Sequence, residues 1–382
     1  MIYLDAAATT PVRREVLEAM WPLLTTDYGN PSSHHTVGES AARALDYARR
    51  LVAAELNCKP ADVLFTSGGT EADNLAIKGI ALARPRGKHI VASSIEHPAV
   101  LETLDYLKRL HGFRISLLPV TAEGLVEEKT LRAALDDDTT LCTIMYANNE
   151  VGTVQPIAAL SAVCRERRIP FHTDAVQAAG WLRLDTAELG VDAMSISGHK
   201  LGAPKGCGVL FVRSRIPLEP LIHGGGQERG RRSGTENVAG AVALATALRL
   251  AQQERLDHYS ASLARRNHLI GTVLDGLEGS FLTGHPEQRL PNVASFCFPG
   301  ANGEAILLEL ERAGVVSSSG SACAAGSSEP SAVLQALGVE PDVAQTALRL
   351  SWTASTSDAE IALAGRAVVS SVRKVQGLGG RA

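Results

Sequence analysis

The stretch from residue 169 to residue 206 constrains the fold more than any other part of the chain. It reads IPFHTDAVQAAGWLRLDTAELGVDAMSISGHKLGAPKG. Two apolar runs in it, residues 169–171 and 191–196, have the length of buried strands. The segment between them is long enough to cross over from one parallel strand to the next. We therefore predict that the two runs are strands of one α/β sheet.

Both predicted strands lead to side chains that carry chemistry. The first ends in Asp174, and the second ends in Ser197, Gly198, His199 and Lys200. Because ligands of open α/β sheets bind outside the carboxyl ends of the strands, we expect the carboxylate and the amine to face one ligand. Pyridoxal phosphate needs such a pair, since a lysine holds it as a Schiff base and an acid keeps its pyridine nitrogen protonated. A structural ion pair at the end of the sheet is the alternative.

The composition excludes several classes of protein. A chain of 382 residues with 45% hydrophobic and 20% charged residues is typical of a globular protein with two domains, or one large domain and a small appendage. A net charge of −4 gives no reason to expect nucleic acid or an anionic membrane as a partner. Met1 to Leu4 run into Asp5 without a basic segment or a cleavage site, so we expect no signal peptide and a cytoplasmic protein.

Neither the cysteines nor the histidines form a recognisable metal or disulfide pattern. The six cysteines are scattered and contain no CxxC pair. The tandem His34-His35 has no second cluster at ligand spacing. We therefore predict no metal site and no disulfide framework.

A glycine-rich turn earlier in the chain suits a phosphate. The predicted strand at residues 63–66 runs into Ser67-Gly68-Gly69-Thr70, and good helix formers follow from Glu71. Free backbone N–H groups and the positive end of a helix dipole meet at such a turn. The turn matches neither the dinucleotide nor the Walker pattern, and a plain N-capped helix remains the alternative.

Other predicted strands also end in polar groups. Residues 89–92 are followed by His97, and residues 141–146 are followed by Asn148 and Asn149. Alone, His97 is more typical of a hydrogen-bonded loop histidine than of a catalytic one. Several strands ending in Thr, His, Asn, Asp and Lys together indicate one site at the carboxyl edge of the sheet.

The C-terminal half adds two loops of interest. The glycine-rich segment 224–235 delivers Thr235 towards an anion; an RNA-binding tract is the alternative, but the tract is short and contains an acid. A long helix predicted at residues 239–279 leads into a smaller α/β unit. The low-complexity loop at residues 317–328 carries Cys323, where a reactive thiol is possible and an incidental cysteine is the alternative.

The motifs resemble those of the cysteine desulfurases of the NifS/IscS type, within the class V aminotransferase family of fold-type I pyridoxal phosphate enzymes. The similarity covers nearly the whole chain, and the Cys323 loop resembles the long-loop group. The matching stretches are YLDAAATTPV, GNPSSHH, FTSGGTEADNLAI, SIEHPAV, NNEVGT, HTDAVQ, SGHKLGAPKG, GGGQERGRRSGT and SSSGSACAAGSSEPSAVLQALG.

The resemblance implies an α/β fold of the pyridoxal-phosphate-dependent aminotransferase fold type I. A large domain with a mostly parallel sheet flanked by helices would be joined by a smaller α/β C-terminal domain. Residues 1–14 would form an N-terminal arm packing with the small domain, residues 15–255 the large cofactor-binding domain, and residues 256–382 the small domain that carries the Cys323 loop.

The resemblance also implies roles for individual residues. Lys200 would hold the cofactor as a Schiff base and serve as the base, and Cys323 would accept the sulfur. Asn149 and Arg349 would bind the substrate carboxylate. The remaining cofactor contacts would be Asp174 at the pyridine nitrogen, Gln177 at the ring hydroxyl, His97 stacked on the ring as an acid/base, Gly69, Thr70, Ser197 and His199 at the phosphate, and Thr235 from the partner subunit of a homodimer.

The activity implied is conversion of L-cysteine to L-alanine, with the sulfur held as a persulfide on Cys323 and passed to an acceptor protein. Iron–sulfur cluster assembly, tRNA thiolation, thiolated cofactors and DNA phosphorothioation are the possible destinations. A selenocysteine lyase, an aminotransferase or a non-enzymatic sulfur-transfer scaffold are the alternatives. One departure from the family is the run Ser351-Trp352-Thr353-Ala354 after Arg349, where a Ser-x-Gly pattern is usual.

Overall fold

The computed structural model describes residues 1–83, 86–320 and 329–379. Within them the strands, in chain order, are Ile2–Tyr3 (β1), Val63–Thr66 (β2), His89–Ser93 (β3), Arg114–Leu118 (β4), Thr139–Thr143 (β5), Phe171–Asp174 (β6), Ala193–Ser197 (β7), Gly208–Val212 (β8), Phe281–Leu282 (β9), Val293–Cys297 (β10), Val315–Val316 (β11) and Leu348–Ser351 (β12).

The α-helices alternate with these strands through most of the chain. They are Arg14–Thr25 (α1), Thr36–Glu55 (α2), Gly69–Ala83 (α3), Pro98–His111 (α4), Glu128–Ala134 (α5), Ile157–Glu166 (α6), Thr186–Leu189 (α7), Val238–Gly276 (α8), Gly303–Arg312 (α9), Ala332–Ala336 (α10), Pro341–Ala344 (α11) and Asp358–Gly379 (α12).

A seven-stranded sheet in the order β2-β8-β7-β6-β5-β3-β4 organises the first two thirds of the chain. The five strands from β3 to β7 run parallel, and β8 is antiparallel to both of its neighbours. Parallel strands require crossover connections, and the intervening helices cover both faces of the sheet with apolar side chains. This architecture confirms the predicted α/β class with a mostly parallel sheet.

The two strands predicted around the crossover are direct neighbours in this sheet. Strand β6 begins at Phe171, two residues later than the apolar run, because Pro170 has no N–H to contribute to a ladder. Asp174 is therefore the last residue of β6, paired in register with Ser195 of β7. A single 3-10 turn, Gly198–Lys200, follows β7 directly. Asp174 and Lys200 thus leave adjacent strands at the same edge.

A second core surrounds the antiparallel sheet β12-β10-β9, and helices α9 and α12 pack on it. Helix α8 connects the two cores: its residues 238–248 are buried against the first, and Leu269 and Val273 belong to the second. The N-terminus joins the second core as well, because β1 pairs in parallel with β11. The predicted domain boundaries stay predictions.

One local feature follows from the chemistry of a single side chain. His35 begins helix α2 as its N-cap, with Nδ1 accepting a hydrogen bond from the N–H of Gly38 at 3.2 Å. This contact gives one histidine of the tandem pair a structural role. Separately, no helix of the described chain combines the length and the apolar composition that crossing a bilayer requires.

A buried ion pair fixes the glycine-rich loop that precedes α8. Arg49 of α2 donates two hydrogen bonds of 2.7 Å to the two carboxylate oxygens of Glu228, and the side chains are 10% and 2% exposed. Glu228 and Arg229 both have left-handed backbones, with φ of 49° and 60°. Such a conformation is unfavourable for residues other than glycine, so the ion pair must hold it in place.

Replacing Glu228 by glutamine should therefore destabilise the protein strongly. The change leaves the Arg49 guanidinium buried without its counter-ion, which typically costs about 3–5 kcal/mol of folding free energy. Urea unfolding of the variant measures the loss. The same change at Glu18, whose pair with Arg14 is exposed to solvent, serves as the control and should cost little. Equal losses for the two variants would contradict a structural role for the buried pair.

Candidate active site

Lys200 lies at the carboxyl edge of the large sheet, where the N-terminal residues cross it. Its Nζ donates hydrogen bonds to the backbone carbonyls of Ala7 and, at 2.7 Å, of Ala8. Gln177 Nε2 donates to the same Ala7 carbonyl at 2.9 Å. Lys200 and Gln177 also line one cavity of about 460 Å³. The amine and the amide predicted for the site are therefore brought together by one backbone carbonyl.

Asp174 is buried beside this lysine. One of its oxygens accepts a hydrogen bond from the N–H of Val176 at 2.9 Å. Burial raises the pKa of the Asp174 carboxyl, while His97, the Val176 N–H and Lys200 each lower it. Burial outweighs these neighbours, so the pKa of Asp174 is raised overall, and a positively charged partner such as a protonated ring nitrogen is needed to hold the charged carboxylate.

His97 stands at the start of α4 and faces the same groups. Its Nδ1 accepts a hydrogen bond from the N–H of Ala99 at 3.1 Å, which caps the helix. Burial lowers the pKa of His97, Asp174 raises it, and Lys200 lowers it again. The neutral ring is favoured, and because Nδ1 is an acceptor, its proton is on Nε2.

The turn before α3 has the shape of an anion cradle. A Cβ built on Gly69 would lie 2.8 Å from Val176 Cγ2 and 3.4 Å from Ser197 Cβ, so a side chain cannot fit there. Helix α3 begins at Gly69, and the N–H groups of Gly69 and Thr70 have no partner within the helix. These backbone donors and Ser197 therefore meet where the dipole of α3 favours negative charge.

His199 lies next to Lys200 and is fixed by the N-terminal segment. Its Nδ1 is 3.1 Å from the Thr9 hydroxyl, and its backbone carbonyl accepts from the N–H and the hydroxyl of Thr10. Burial lowers the pKa of His199 to about 4, with Lys200 and Lys205 adding to the effect. A neutral His199 can hydrogen-bond a phosphate but contributes no charge to it.

Arg349 of β12 is 2% exposed and points at the loops of the large sheet. Its Nη1 donates to the backbone carbonyls of Asn149, at 2.8 Å, and of Gly320, at 3.1 Å. Its Nη2 donates to Asp5 Oδ1 at 2.7 Å. Its Nε is buried and has no hydrogen-bond partner among the described residues. The contact with Asn149 is to its backbone carbonyl, and the role that the resemblance implies for Asn149 at the substrate carboxylate stays a prediction.

Two predicted residues are not brought to this group. Thr235 is exposed and lines a separate pocket of about 160 Å³ together with Ser67 and Gly206. Cys323 lies outside the described residues, three positions beyond Gly320, whose carbonyl contacts Arg349. The predicted roles of both residues stay predictions.

With this geometry established, comparison with known proteins identifies the family. Residues 2–363 match the family model described as aminotransferase class-V. The chain belongs to the class-V aminotransferase family.

Similar proteins within this family share most of their length with the chain. A protein of Methanosarcina thermophila named cysteine desulfurase IscS is 48% identical over 351 residues, which cover 92% of this chain and 86% of that protein. A solved structure named NIFS-like protein is 36% identical, with a TM-score of 0.90 and coverage of 97% and 98% of the two chains. Another, SspA in complex with cysteine, is 36% identical, with a TM-score of 0.81 and coverage of 92% and 98%. These similarities confirm the predicted family and fold type.

The cofactor of this class-V enzyme is pyridoxal phosphate, and the residues at the sheet edge fit it. Lys200 would supply the amine that holds the aldehyde, and Asp174 would supply a buried carboxylate for the ring nitrogen. The free N–H groups of Gly69 and Thr70 would bind the phosphate, and the absence of a side chain on Gly69 lets Val176 and Ser197 pack close to them. The donor set thus has one suitable group for each polar part of the cofactor.

Sequence reasoning missed two contributions to the site. One is the backbone of the N-terminal turn at residues 5–8, and the other is a pair of buried acids below the site. The stretch YLDAAATTPV carries a family motif, but its letters assign no role to Asp5 or to the carbonyls of Ala7 and Ala8. Asp73 of α3 and Glu96 are buried near Asp174; burial raises the pKa of both carboxyls, and the charge of Asp174 raises it further. Asp73 sits one helical turn after Gly69, and this spacing is the sequence signal that places it under the cradle.

Glu96 should make the stability of the protein depend on pH. Burial raises the pKa of its carboxyl from 4.5 to about 8, although the Ser93 hydroxyl and the Met145 N–H favour the charged form. At a pH between these two pKa values, Glu96 is protonated in the folded protein and ionised in the unfolded chain. Unfolding therefore releases a proton, and stability falls as pH rises, by about 1.4 kcal/mol per pH unit.

Glu96→Gln removes this ionisation. From pH 5 to pH 8 the free energy of unfolding should therefore fall less in the variant than in the wild type. Urea unfolding of both proteins at several pH values measures it. Parallel stability curves would show that Glu96 does not titrate in this window.

Proposed function

We propose that this chain is a cysteine desulfurase that converts L-cysteine to L-alanine, keeps the sulfur as a persulfide on Cys323 and passes it to an acceptor protein. The names of its relatives support the reaction, and the cysteine complex of SspA supports the substrate. The observation that carries the proposal is that two N–H groups of Arg349 have no partner in the described contacts. The carboxylate of an amino acid can accept hydrogen bonds from both.

The number of donors on Arg349 supports its role in binding the carboxylate. A guanidinium has five N–H groups, and the described contacts use three of them, two on Nη1 and one on Nη2. The Nε–H and one Nη2–H remain, which is the number that a carboxylate needs for a bidentate contact. The Nε of Arg349 is buried without a partner among the described residues, so a ligand carboxylate that accepts from it would satisfy a buried donor.

Lys200 is placed to move the α-proton of the substrate. When bound, pyridoxal phosphate withdraws the electron pair that the broken Cα–H bond leaves behind. Lys200 Nζ takes the proton and becomes an ammonium. The carbonyls of Ala7 and Ala8 accept hydrogen bonds from Nζ and so stabilise that charged form. Asp174 meanwhile holds the proton on the ring nitrogen.

His97 is assigned to proton transfer at the site. Its Nδ1 accepts from Ala99, so the neutral ring donates a hydrogen bond from Nε2, and it becomes an acid only when it is protonated. The thiolate of Cys323 attacks the sulfur of cysteine: an S–S bond forms, the Cβ–S bond breaks, and its electron pair stays on Cβ. The proton lost by the Cys323 thiol completes the methyl group on Cβ, and the Lys200 ammonium returns the α-proton. The sum is thiol plus L-cysteine giving persulfide plus L-alanine.

A homodimer in the cytoplasm is part of the proposal. Exposed Thr235 stands at the end of a loop that the pair Arg49–Glu228 fixes, so it is available to the phosphate site of a partner subunit. The five described cysteines are free, which agrees with a reducing compartment.

The products of L-cysteine test the proposed function. The holoenzyme with cysteine and a reductant should yield alanine and sulfide in equal amounts. An aminotransferase would instead give the keto acid of cysteine, and a selenocysteine lyase would turn over selenocysteine alone. A protein that stays colourless after addition of pyridoxal phosphate would be a scaffold. Protein pretreated with borohydride, which blocks the cofactor on its lysine, is the control.

A further inference from the structure

The guanidinium of Arg349 has a counter-ion from the N-terminal turn. Asp5 Oδ1 accepts from Nη2 at 2.7 Å, and the two side chains are 19% and 2% exposed. Glu150 also lies near Arg349, but burial raises the pKa of its carboxyl and its Oε2 accepts from the Ser331 hydroxyl. Among the described acids, Asp5 is therefore the one that forms an ion pair with Arg349.

Contacts between the N-terminal residues and Ser351 fix this pair. Asp5 bridges to Ser351, two residues after Arg349 on β12. The N–H of Ala6 donates to the Ser351 carbonyl at 3.0 Å, and the N–H of Ala7 donates to the Ser351 hydroxyl at 2.9 Å. The carboxylate is thus held at Arg349 by the same strand that carries the arginine.

Two carboxylates must share Arg349 when an amino acid binds. A buried guanidinium needs a counter-ion in the absence of substrate, and Asp5 provides it. A second carboxylate at the remaining N–H groups then lies close to the first, and like charges at short distance in a buried site repel strongly.

We infer that Asp5 competes with the amino-acid carboxylate for Arg349, and so weakens binding of the substrate and of the product alike. The inference rests on the proposed function, because it takes Arg349 as the carboxylate site. Weak binding of alanine favours its release. Asp5 is then a positioning residue that acts through Arg349 and sets the affinity of the site.

Titration of the holoenzyme with L-alanine tests the inference, followed through the absorbance of the cofactor. Asp5→Asn keeps the size and one acceptor oxygen but removes the charge. We expect it to lower the Kd of alanine by roughly tenfold, as for loss of one nearby like charge. The KM for cysteine should fall with it, without a gain in kcat. Cysteamine, which is cysteine without its carboxylate, should bind the variant and wild type equally. An unchanged or higher Kd of alanine would overturn the inference.

A matched control separates charge from structure. Asp358→Asn makes the same change in the exposed pair with Arg265 and should leave the Kd of alanine unaltered. Thermal unfolding of both variants shows whether the N-terminal turn is intact. If Asp5→Asn does not fold, Asp5→Ser removes the same charge, and the same tightening is expected of it.

Arg349→Ala separates failure of this inference from failure of the proposed function. If that variant binds alanine like wild type, the assignment of the carboxylate site is wrong. If it loses alanine binding while Asp5→Asn remains like wild type, the carboxylate site stands and only the competition by Asp5 is wrong.

Discussion

Replacing Lys200 by alanine is expected to lower the kcat for L-cysteine by about four orders of magnitude or more, since in the proposed function one side chain supplies both the covalent hold on the cofactor and the base. The described contacts of Nζ are to Ala7, Ala8 and the charge of Asp174. Neither of the two backbone carbonyls can act as a base in its place. The loss should therefore appear in kcat and not only in KM.

Two further measurements identify the cause of this loss. Borohydride treatment followed by mass spectrometry of the wild type should place the cofactor on Lys200, and the variant should carry no label. Lys205→Ala is the matched control, because Lys205 lies in the same segment but is exposed. Substantial turnover by the Lys200 variant, or a label on another lysine, would contradict the assignment.

Replacing Cys323 by serine should abolish sulfide release while leaving cofactor binding and cysteine binding intact. A hydroxyl cannot accept sulfur as a persulfide, so the reaction stops before the Cβ–S bond breaks. Other thiols are poor substitutes: burial raises the pKa of Cys58 and of Cys297 to about 12, and that of Cys207 to about 11. Their thiolates are therefore scarce near neutral pH.

Mass spectrometry of the protein after reaction with cysteine provides the readout. The wild type should gain one sulfur atom on the peptide that contains Cys323, and the serine variant should gain none. Cys58→Ser is the control and should keep both sulfide release and the added sulfur. Sulfide release by the Cys323 variant at the rate of the wild type would contradict the role of Cys323 as the sulfur acceptor.

The site could be predicted from the sequence because polar residues stand at the carboxyl ends of the strands. The positions of Asp174 and Lys200 at the ends of two predicted strands were enough to expect them at one edge, and β6 and β7 are indeed neighbours. The glycine turn before α3 was predicted in the same way. Resemblance to the family added roles for Gln177, Arg349 and Cys323, and these roles stay predictions.

Contacts between distant parts of the chain could not be predicted in this way. Arg349 and Asp5 are 344 residues apart, and Lys200 is 193 residues from Ala7. Periodicity and spacing report on neighbours within one helix or strand, so they contain no information about such pairs. The burial of Glu96 and Asp73 likewise depends on how α3 packs on the sheet.

By itself, the sequence determined the α/β class, the family and the kind of cofactor, because these depend on local patterns and on motifs that each lie within one short segment. Only the tertiary structure decided which groups surround the functional side chains. It placed Asp5 on Arg349 and two carbonyls on Lys200, because packing of the N-terminal turn between the two sheets brings them there. The charge and proton affinity of the site depend on these long-range contacts.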